Sequence, residues 1–302
     1  MPPLDGPFGF VVIDKPAGLT SHACVSRMRR SYGLRRVGHG GTLDPAVTGV
    51  LPIALGPATR LLPYLPGEKT YQGSIQLGTR SSSDDLQGEI LETQPWPELS
   101  NQGCLEALAP FRGTIQQRPP QVSAVHVDGE RAHARARRGE SMDLAAKTVT
   151  IERLNLLDWD PTSGRLRIEV HCTAGTYIRA LARDLGDALG CGGCLADLTR
   201  TQALGFHIAQ AHPLPESDSN LELPEPLSPL EALQTLPKRT LTDSEEFDWR
   251  CGRRLSVGET LQGNVKDGDA VVVCKADGSI AGMGLAEANQ QLRPKVVFDA
   301  AG

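Results

Sequence analysis

The strongest constraint in this chain is the stretch Gly38-His-Gly-Gly-Thr-Leu-Asp44-Pro-Ala-Val-Thr-Gly49-Val-Leu-Pro52. It sets one carboxylate, Asp44, in a loop restrained from both sides. Gly40 and Gly41 lack a β-carbon and so permit a tight turn or the close approach of a ligand. Pro45 disfavours the α region for the residue before it, which makes Asp44 extended or part of a turn. Beyond the loop, Val50-Leu-Pro-Ile-Ala-Leu55 reads as a short buried strand and gives the loop a rigid anchor. A carboxylate held this way can act as nucleophile, acid, base or acceptor within its own turn.

Charge is distributed unevenly around this loop. The chain has 302 residues and a formal net charge of −5, which argues against a generally adhesive nucleic-acid binder. Phosphate binding depends on local fields, however, and the positive charge is clustered. Arg27, Arg29, Arg30, Arg35 and Arg36 immediately precede the Asp44 loop, and Arg131, Arg135, Arg137 and Arg138 surround His133. A single charge run usually marks a solvated face. Two clusters, one abutting the candidate nucleophile, favour a phosphate-binding surface. From Thr201 to Pro237 there is no Lys or Arg, so part of the acidity sits in a segment that need not face RNA.

The length suits one large domain and a small one. No apolar run approaches a membrane span. The opening Met-Pro-Pro-Leu-Asp-Gly lacks the features of a signal peptide. Seven scattered cysteines fit reduced thiols in a cytoplasm better than a disulfide framework. Cys191-Gly-Gly-Cys194 has the spacing of half a zinc site, but no second such pair follows and no metal is expected. The Gly38–Gly41 run lacks a P-loop Lys-Ser/Thr and a GxGxxG pattern, so a nucleotide cofactor is not expected either.

Along the chain, Phe8–Ile13 reads as a strand, followed by a helix capped by Thr20 or Ser21 with Val25, Met28 and Tyr32 on its apolar face. Lys69–Leu77 and Arg165–Cys172 alternate as strands. Thr176–Leu189 reads as an amphipathic helix with Ile178, Leu181, Leu185 and Ala188 inward and Arg179 and Arg183 on another face. Pro213–Pro229, rich in Pro, Ser and acids, reads as an exposed connection. Short strands with Gly turns after Pro237 point to a small β-rich C-terminal domain.

His39-Gly-Gly-Thr-Leu-Asp44-Pro-Ala-Val-Thr-Gly49 resembles the active-site motif of the TruB family of pseudouridine synthases, with Asp44 at the position of the family's essential Asp. The chain departs at Gly40, where the family usually has Thr, a change on the loop and not on the nucleophile. Further matches follow in order along nearly the whole chain. Asp14-Lys15-Pro16-Ala-Gly18-Leu-Thr20-Ser21 is similar to the N-terminal motif whose Lys and Pro support the catalytic loop. Lys69-Thr70-Tyr71 is similar to the motif whose Tyr stacks on the target uracil. Leu77–Gly88, with Asp84 and Asp85, is similar to the segment that follows it. Gln116-Gln-Arg-Pro119-Pro120-Gln-Val-Ser123-Ala124, then Gly129-Glu-Arg131-Ala132, resembles the approach to an RNA-gripping thumb. The family often has Tyr where His133 stands. Gly175-Thr-Tyr177-Ile-Arg179-Ala-Leu181 resembles the motif supplying a Tyr and an Arg, and Leu195–Arg200 a later one in which Leu198 walls the uracil pocket.

The resemblance implies an α+β catalytic domain with a mixed sheet over residues 1–236, carrying a thumb insertion around 120–145, and a PUA-like RNA-binding domain over 237–302. It implies conversion of uridine 55 to pseudouridine in the tRNA T-loop by base flipping and attack of Asp44. His39, Tyr71, Tyr177, Arg179 and Leu198 would line the pocket. Lys15 and Pro16 would support the loop, and Arg131, Arg135, Arg137 and Arg138 would contact RNA. The expected partner is the T-arm of tRNA, with no cofactor, metal, membrane or obligatory protein partner, in the cytoplasm. Glycosidic cleavage, base rotation and carbon–carbon bond formation involve no net redox change. A carboxylate can attack uracil C6 or ribose C1′, or act as a base at the sugar. Rival readings are a dyskerin-like synthase dependent on guide RNA, a non-catalytic RNA-binding or tRNA-folding protein, and a carboxylate-dependent hydrolase. The Arg131–Arg138 insertion favours a stand-alone enzyme over the first. Intact Asp44 and Tyr71 disfavour the second, and the arginine clusters and β-rich tail are unexplained by the third.

Overall fold

Two strands carry the frame of the candidate loop. In the computed structural model, β1 (Gly9–Lys15) runs antiparallel to β3 (Thr48–Leu55), with Val12 opposite Pro52. The structure describes residues 6–123, 125–127, 129–136, 138–140, 142–216, 222–258 and 260–300. Side chains of β1 alternate between two cores, as the period of a strand requires. Val11 and Ile13 pack with Cys24, Val25 and Met28 of helix α1 (Ser21–Ser31), whereas Phe10 and Val12 join a core with Val272, Met283 and Phe298 of the C-terminal domain. This burial on both faces explains why β3 is apolar along its length rather than alternating. Thr20 caps α1 by accepting from the Ala23 amide.

A strand at Gly193–Ala203 sits between β3 and β4 (Lys69–Leu77), parallel to the first and antiparallel to the second. The sheet is therefore mixed. From one edge it runs His212–Pro213, β1, β3, Gly193–Ala203, β4, Arg165–Cys172, Lys147–Asp160, Gly113–Gln117, while β2 (Val37–His39) pairs with β3. A helix at Ile178–Ala188 buries Ile178, Leu181 and Leu185 in a core with Ile75, Leu77, Ile168 and Val170. It begins at Ile178 instead of Thr176, because Gly175 takes a φ of +90° and Tyr177 stands as the extended N-cap.

The C-terminal domain is a six-stranded sheet in the order Leu255–Ser256, Gln291–Val297, Ile280–Glu287, Ala270–Cys274, Lys238–Thr240, Leu261–Gln262. It also holds a helix, Asp243–Arg250, closed by a reciprocal box between Thr242 and Glu245, with Trp249 fully buried. The Thr-x-x-Glu signal for this helix is present in the sequence. Phe298 meets Phe8 edge-on at 5.2 Å and lies under the Arg60 guanidinium at 5.6 Å, fastening the domain to the large sheet.

The Pro213–Pro229 segment is less exposed than its composition implies. His212–Pro213 pairs with β1, Leu214 is buried, and Leu227 exchanges two backbone hydrogen bonds with Phe10 at 2.9 and 2.8 Å. An open strand edge needs partners for its amides, and this segment supplies them. No helix among the described residues is long and apolar enough to cross a membrane.

Candidate active site

The Asp44 loop is pinned by buried groups on both sides. Ser21 and the Leu43 backbone exchange hydrogen bonds, the Leu43 amide donating to Ser21 Oγ at 2.8 Å. Lys15 is 0% exposed, and its Nζ donates to the carbonyls of Pro16, Leu19 and Pro45 at 2.8, 2.7 and 3.0 Å. Burial pushes the Lys15 pKa down, while Cys24 and Asp44 oppose that shift. The Gly18 amide also donates to Pro45 O at 2.8 Å, and the Val47 amide closes the turn onto Asp44 O at 3.1 Å. Lys15 and Pro16 thus stand at the base of the loop. Gly49 takes a φ of +99°, and a β-carbon there would collide with the Arg200 carbonyl. At Gly40, the space beside the backbone is filled by Leu204.

The Asp44 side chain remains 44% exposed, so a ligand can reach it. Its Oδ2 lies 2.9 Å from Nη2 of Arg179, whose own side chain is 8% exposed. Arg179 also donates to the carbonyls of Ser83 and Val122 at 2.9 and 3.0 Å, and its Nε lies 3.7 Å from Asp85. This guanidinium is therefore oriented by two segments of chain, the Ser83–Asp85 turn and Val122, and also meets Asp44. The turn that supplies Ser83 and Asp85 contains Asp84 at a φ of +60°, a conformation that Asp tolerates. Asp84 pairs with Arg183 at 2.9 Å; burial pushes its carboxyl up and Arg183 opposes the shift.

Sheet register brings the rest together. On the Gly193–Ala203 strand, Arg200 stands opposite Tyr71 on one side and Gly49 on the other. Arg200 is fully buried and donates to Val50 O at 2.8 Å and Gly41 O at 3.0 Å. Its guanidinium also lies close enough to the Tyr71 phenol to favour the phenolate. Burial pushes the Tyr71 pKa up and Arg200 pulls it partly back, so the ring enters the site as a neutral phenol. Leu198 packs against the core that contains Tyr71, and a β-carbon at the facing Gly73 would collide with the Asp197 carbonyl. Tyr177 is half-buried, with its phenol near Ser123; burial raises its pKa and Arg179 opposes that. His39 ends β2 beside the Gly41 backbone, and burial, then Arg200, lower its pKa from 6.5. Both effects favour the neutral ring.

Asp44 thus lies within electrostatic reach of Arg179, Tyr71 and Tyr177, while Leu198 packs on the core beside Tyr71 and His39 is linked to the group through Arg200. Two contributors were missed in the sequence reading: Arg200 and Asp85. Strand periodicity places Arg200 two residues from Leu198 and so on the same face, a signal available without the structure. Asp85 has no local signal, because its partner lies 94 positions away.

The thumb arginines behave differently. Arg135 pairs with Glu140 at 2.8 Å, and Arg138 pairs with Glu130 at 2.6 Å and Glu140 at 2.8 Å. Arg137 lies outside the described residues, and Arg131 is placed only by its backbone in the short strand Glu130–Arg131. Among the described residues no group of three or more His, Cys, Asp or Glu is placed to hold a metal; Cys191 and Cys194 are buried free thiols.

The TruB family pseudouridylate synthase N-terminal domain matches residues 29–178. The chain is 72% identical over 299 residues to tRNA pseudouridine synthase B of Parasynechococcus marenigrum (strain WH8102), spanning 99% of this chain and 100% of that protein. To the protein of the same name from Synechococcus sp. (strain WH7803) it is 61% identical over 311 residues, spanning 99% and 100%. Among solved structures, an H/ACA RNP bound to a substrate RNA containing 2'-deoxyuridine is similar with a TM-score of 0.72 and 25% identity, over 96% of this chain and 85% of that one. The archaeal box H/ACA sRNP Nop10–Cbf5 complex gives 0.72 and 26%, over 98% and 87%.

Proposed function

This chain belongs to the TruB family of pseudouridylate synthases, and we infer that it isomerises uridine 55 of tRNA to pseudouridine. The observation that carries the reading is the Asp44–Arg179 pair at 2.9 Å in a half-open cleft, with Tyr71 and Leu198 at the pocket wall. The reaction breaks the N1–C1′ bond, turns the uracil, joins C5 to C1′, moves a proton off C5 and places one on N1. No redox partner is needed. Asp44 is the nucleophile, and its charge is matched by Arg179, whose other bonds hold it in one orientation.

The target base leaves its stack to reach Asp44, at a cost of roughly a few kcal/mol. Stacking on the Tyr71 ring returns about 1–3 kcal/mol of that. Tyr177 and Leu198 close the pocket around the base, while His39 stands at the loop where the displaced nucleotide was. Lys15 and Pro16 hold the loop. Residues 1–236 form the catalytic unit, and 237–302 a PUA-like RNA-binding domain. The enzyme is cytoplasmic and acts on the tRNA T-arm without guide RNA or a protein partner.

The test is tritium release from tRNA transcripts labelled at uracil C5, using the full chain alone. Wild-type protein releases tritium, and Asp44→Asn abolishes release while keeping tRNA affinity. Folded wild-type protein that releases none from any tRNA overturns the reading. Release only after a guide RNA is added transfers the assignment to the dyskerin-like class.

A further inference from the structure

We propose that the RNA backbone docks on the arginines of α1 and the turn into β2, and that Arg135 and Arg138 are held in reserve by their own carboxylates. This rests on the tRNA reading above and assigns the phosphate-binding surface within it. Arg27, Arg29 and Arg30 lie on α1, and Arg35 and Arg36 in the turn that follows; Arg30, Arg35 and Arg36 are exposed. Among the described residues, none of these five forms an ion pair or a side-chain hydrogen bond. Most other described arginines have a partner: Arg60, Arg112, Arg200 and Arg250 donate to backbone carbonyls and Arg165 to Gln76, whereas the scattered Arg153 and Arg167 have none. Arg80, Arg118, Arg183, Arg239, Arg253, Arg254 and Arg293 each sit on a carboxylate of this chain.

Two ordinary explanations fall short. The last turn of a helix favours cations, which accounts for Arg29 and Arg30 but not for Arg27, Arg35 or Arg36. The acidic 222–231 segment passes close by, since the Tyr32 hydroxyl donates to Pro224 O. Yet Glu222 and Glu225, exposed on that segment, pair with none of these arginines. The positive field is left open to solvent.

Placement favours an RNA that is also in the active site. The N-terminus of α1 reaches the catalytic loop, where His22 stands close enough to His39 to oppose its protonation. From Arg36, β2 leads directly to His39, about 10 Å along a strand. That distance corresponds to about three nucleotides of a duplex strand. A backbone whose flipped nucleotide occupies the Asp44 pocket therefore continues onto these guanidiniums. For Arg135 and Arg138 to bind phosphate, by contrast, each must first leave Glu140 or Glu130. Exchange of one exposed ionic partner for another yields little net affinity.

The test is binding of an unmodified tRNA transcript to full-length protein across a potassium chloride series. The variant Arg30→Gln/Arg35→Gln/Arg36→Gln replaces exposed side chains only, and its melting temperature is checked against wild type. Each lost phosphate contact lowers the slope of log K against log salt by about 0.7–0.9, so the triple variant falls by about 2–3. Its affinity at low salt falls more than about tenfold, while Arg138→Gln leaves the slope unchanged, where a lost phosphate contact would lower it by about 0.7–0.9. A folded triple variant with wild-type affinity and slope overturns the proposal, as does Arg138→Gln producing the larger loss. Failure of the isomerase reading is seen separately, as no tritium release by wild-type protein, whereas the slope reads binding alone.

Discussion

Gln117→Leu is expected to slow catalysis without weakening tRNA binding. Gln117 ends the Gly113–Gln117 strand and is 2% exposed. Its carboxamide clasps one residue from both sides: Oε1 accepts from the Tyr177 amide at 2.8 Å, and Nε2 donates to Tyr177 O at 3.1 Å. Tyr177 is the N-cap of the catalytic helix and has no side-chain cap of its own. Leucine fills nearly the same volume, so the loss is polar. The Tyr177 carbonyl keeps a second donor, the Leu181 amide at 3.1 Å, but the Tyr177 amide is stranded. A stranded buried amide costs about 1–3 kcal/mol, and the other lost bond about 0.5–1.5 kcal/mol. Partial solvent access at Tyr177 favours the lower half, about 2 kcal/mol, or about 3 °C in melting temperature for a chain of this size.

The kinetic effect follows from Arg179, two positions beyond Tyr177. A displacement of about 1 Å in a reacting geometry costs up to about a hundredfold, so the single-turnover rate should fall at least about tenfold. The tRNA Kd should change less than about twofold, since a buried carboxamide touches no RNA. Gln117→Glu gives a sharper signature. A carboxylate there still accepts from the Tyr177 amide but repels its carbonyl, whereas the protonated acid donates like the amide. Its rate relative to wild type should therefore recover as pH falls from about 7 to about 5. A Gln117→Leu enzyme with wild-type rate and melting temperature, or a defect confined to Kd, refutes the reasoning.

Lys15→Met removes one buried donor from three carbonyls, including Pro45 beside the nucleophile. The Pro45 carbonyl keeps the Gly18 amide, so two carbonyls lose this donor at about 1–3 kcal/mol each; the loss is read as a lower denaturation midpoint, together with a lower single-turnover rate, and an unchanged rate would detach Lys15 from the loop's function. The second prediction concerns acid. His39 has a folded pKa lowered from 6.5 by burial and then by Arg200, so the folded state binds fewer protons than the unfolded one. Its contribution to stability is complete above pH 6.5 and is lost as pH falls through the folded pKa. The drop in melting temperature between about pH 8 and about pH 5.5 should therefore shrink in His39→Asn; an equal drop in both proteins would contradict the burial argument.

The elements that position the site were legible where their causes are local. Lys69–Leu77 and Arg165–Cys172 have in the structure the bounds their alternation implies, because a half-covered strand repeats every two residues. Thr20 caps α1, and Pro45 and the paired glycines restrict Asp44, through backbone sterics that act between neighbours. The helix Asp243–Arg250 carries its own local start signal in the Thr242–Glu245 box. What the residues alone could not supply is partnership across the chain. Arg200 meets Tyr71 and Gly49 because a strand from late in the sequence inserts between two early ones. The same holds for Lys15 beneath Pro45 and for Gln117 clasping Tyr177, pairs set by topology and not by spacing. Both arginine clusters look alike as text. The fold separates them, because Glu130 and Glu140 come within hydrogen-bond reach of the thumb guanidiniums, while among the described residues no carboxylate reaches those on α1.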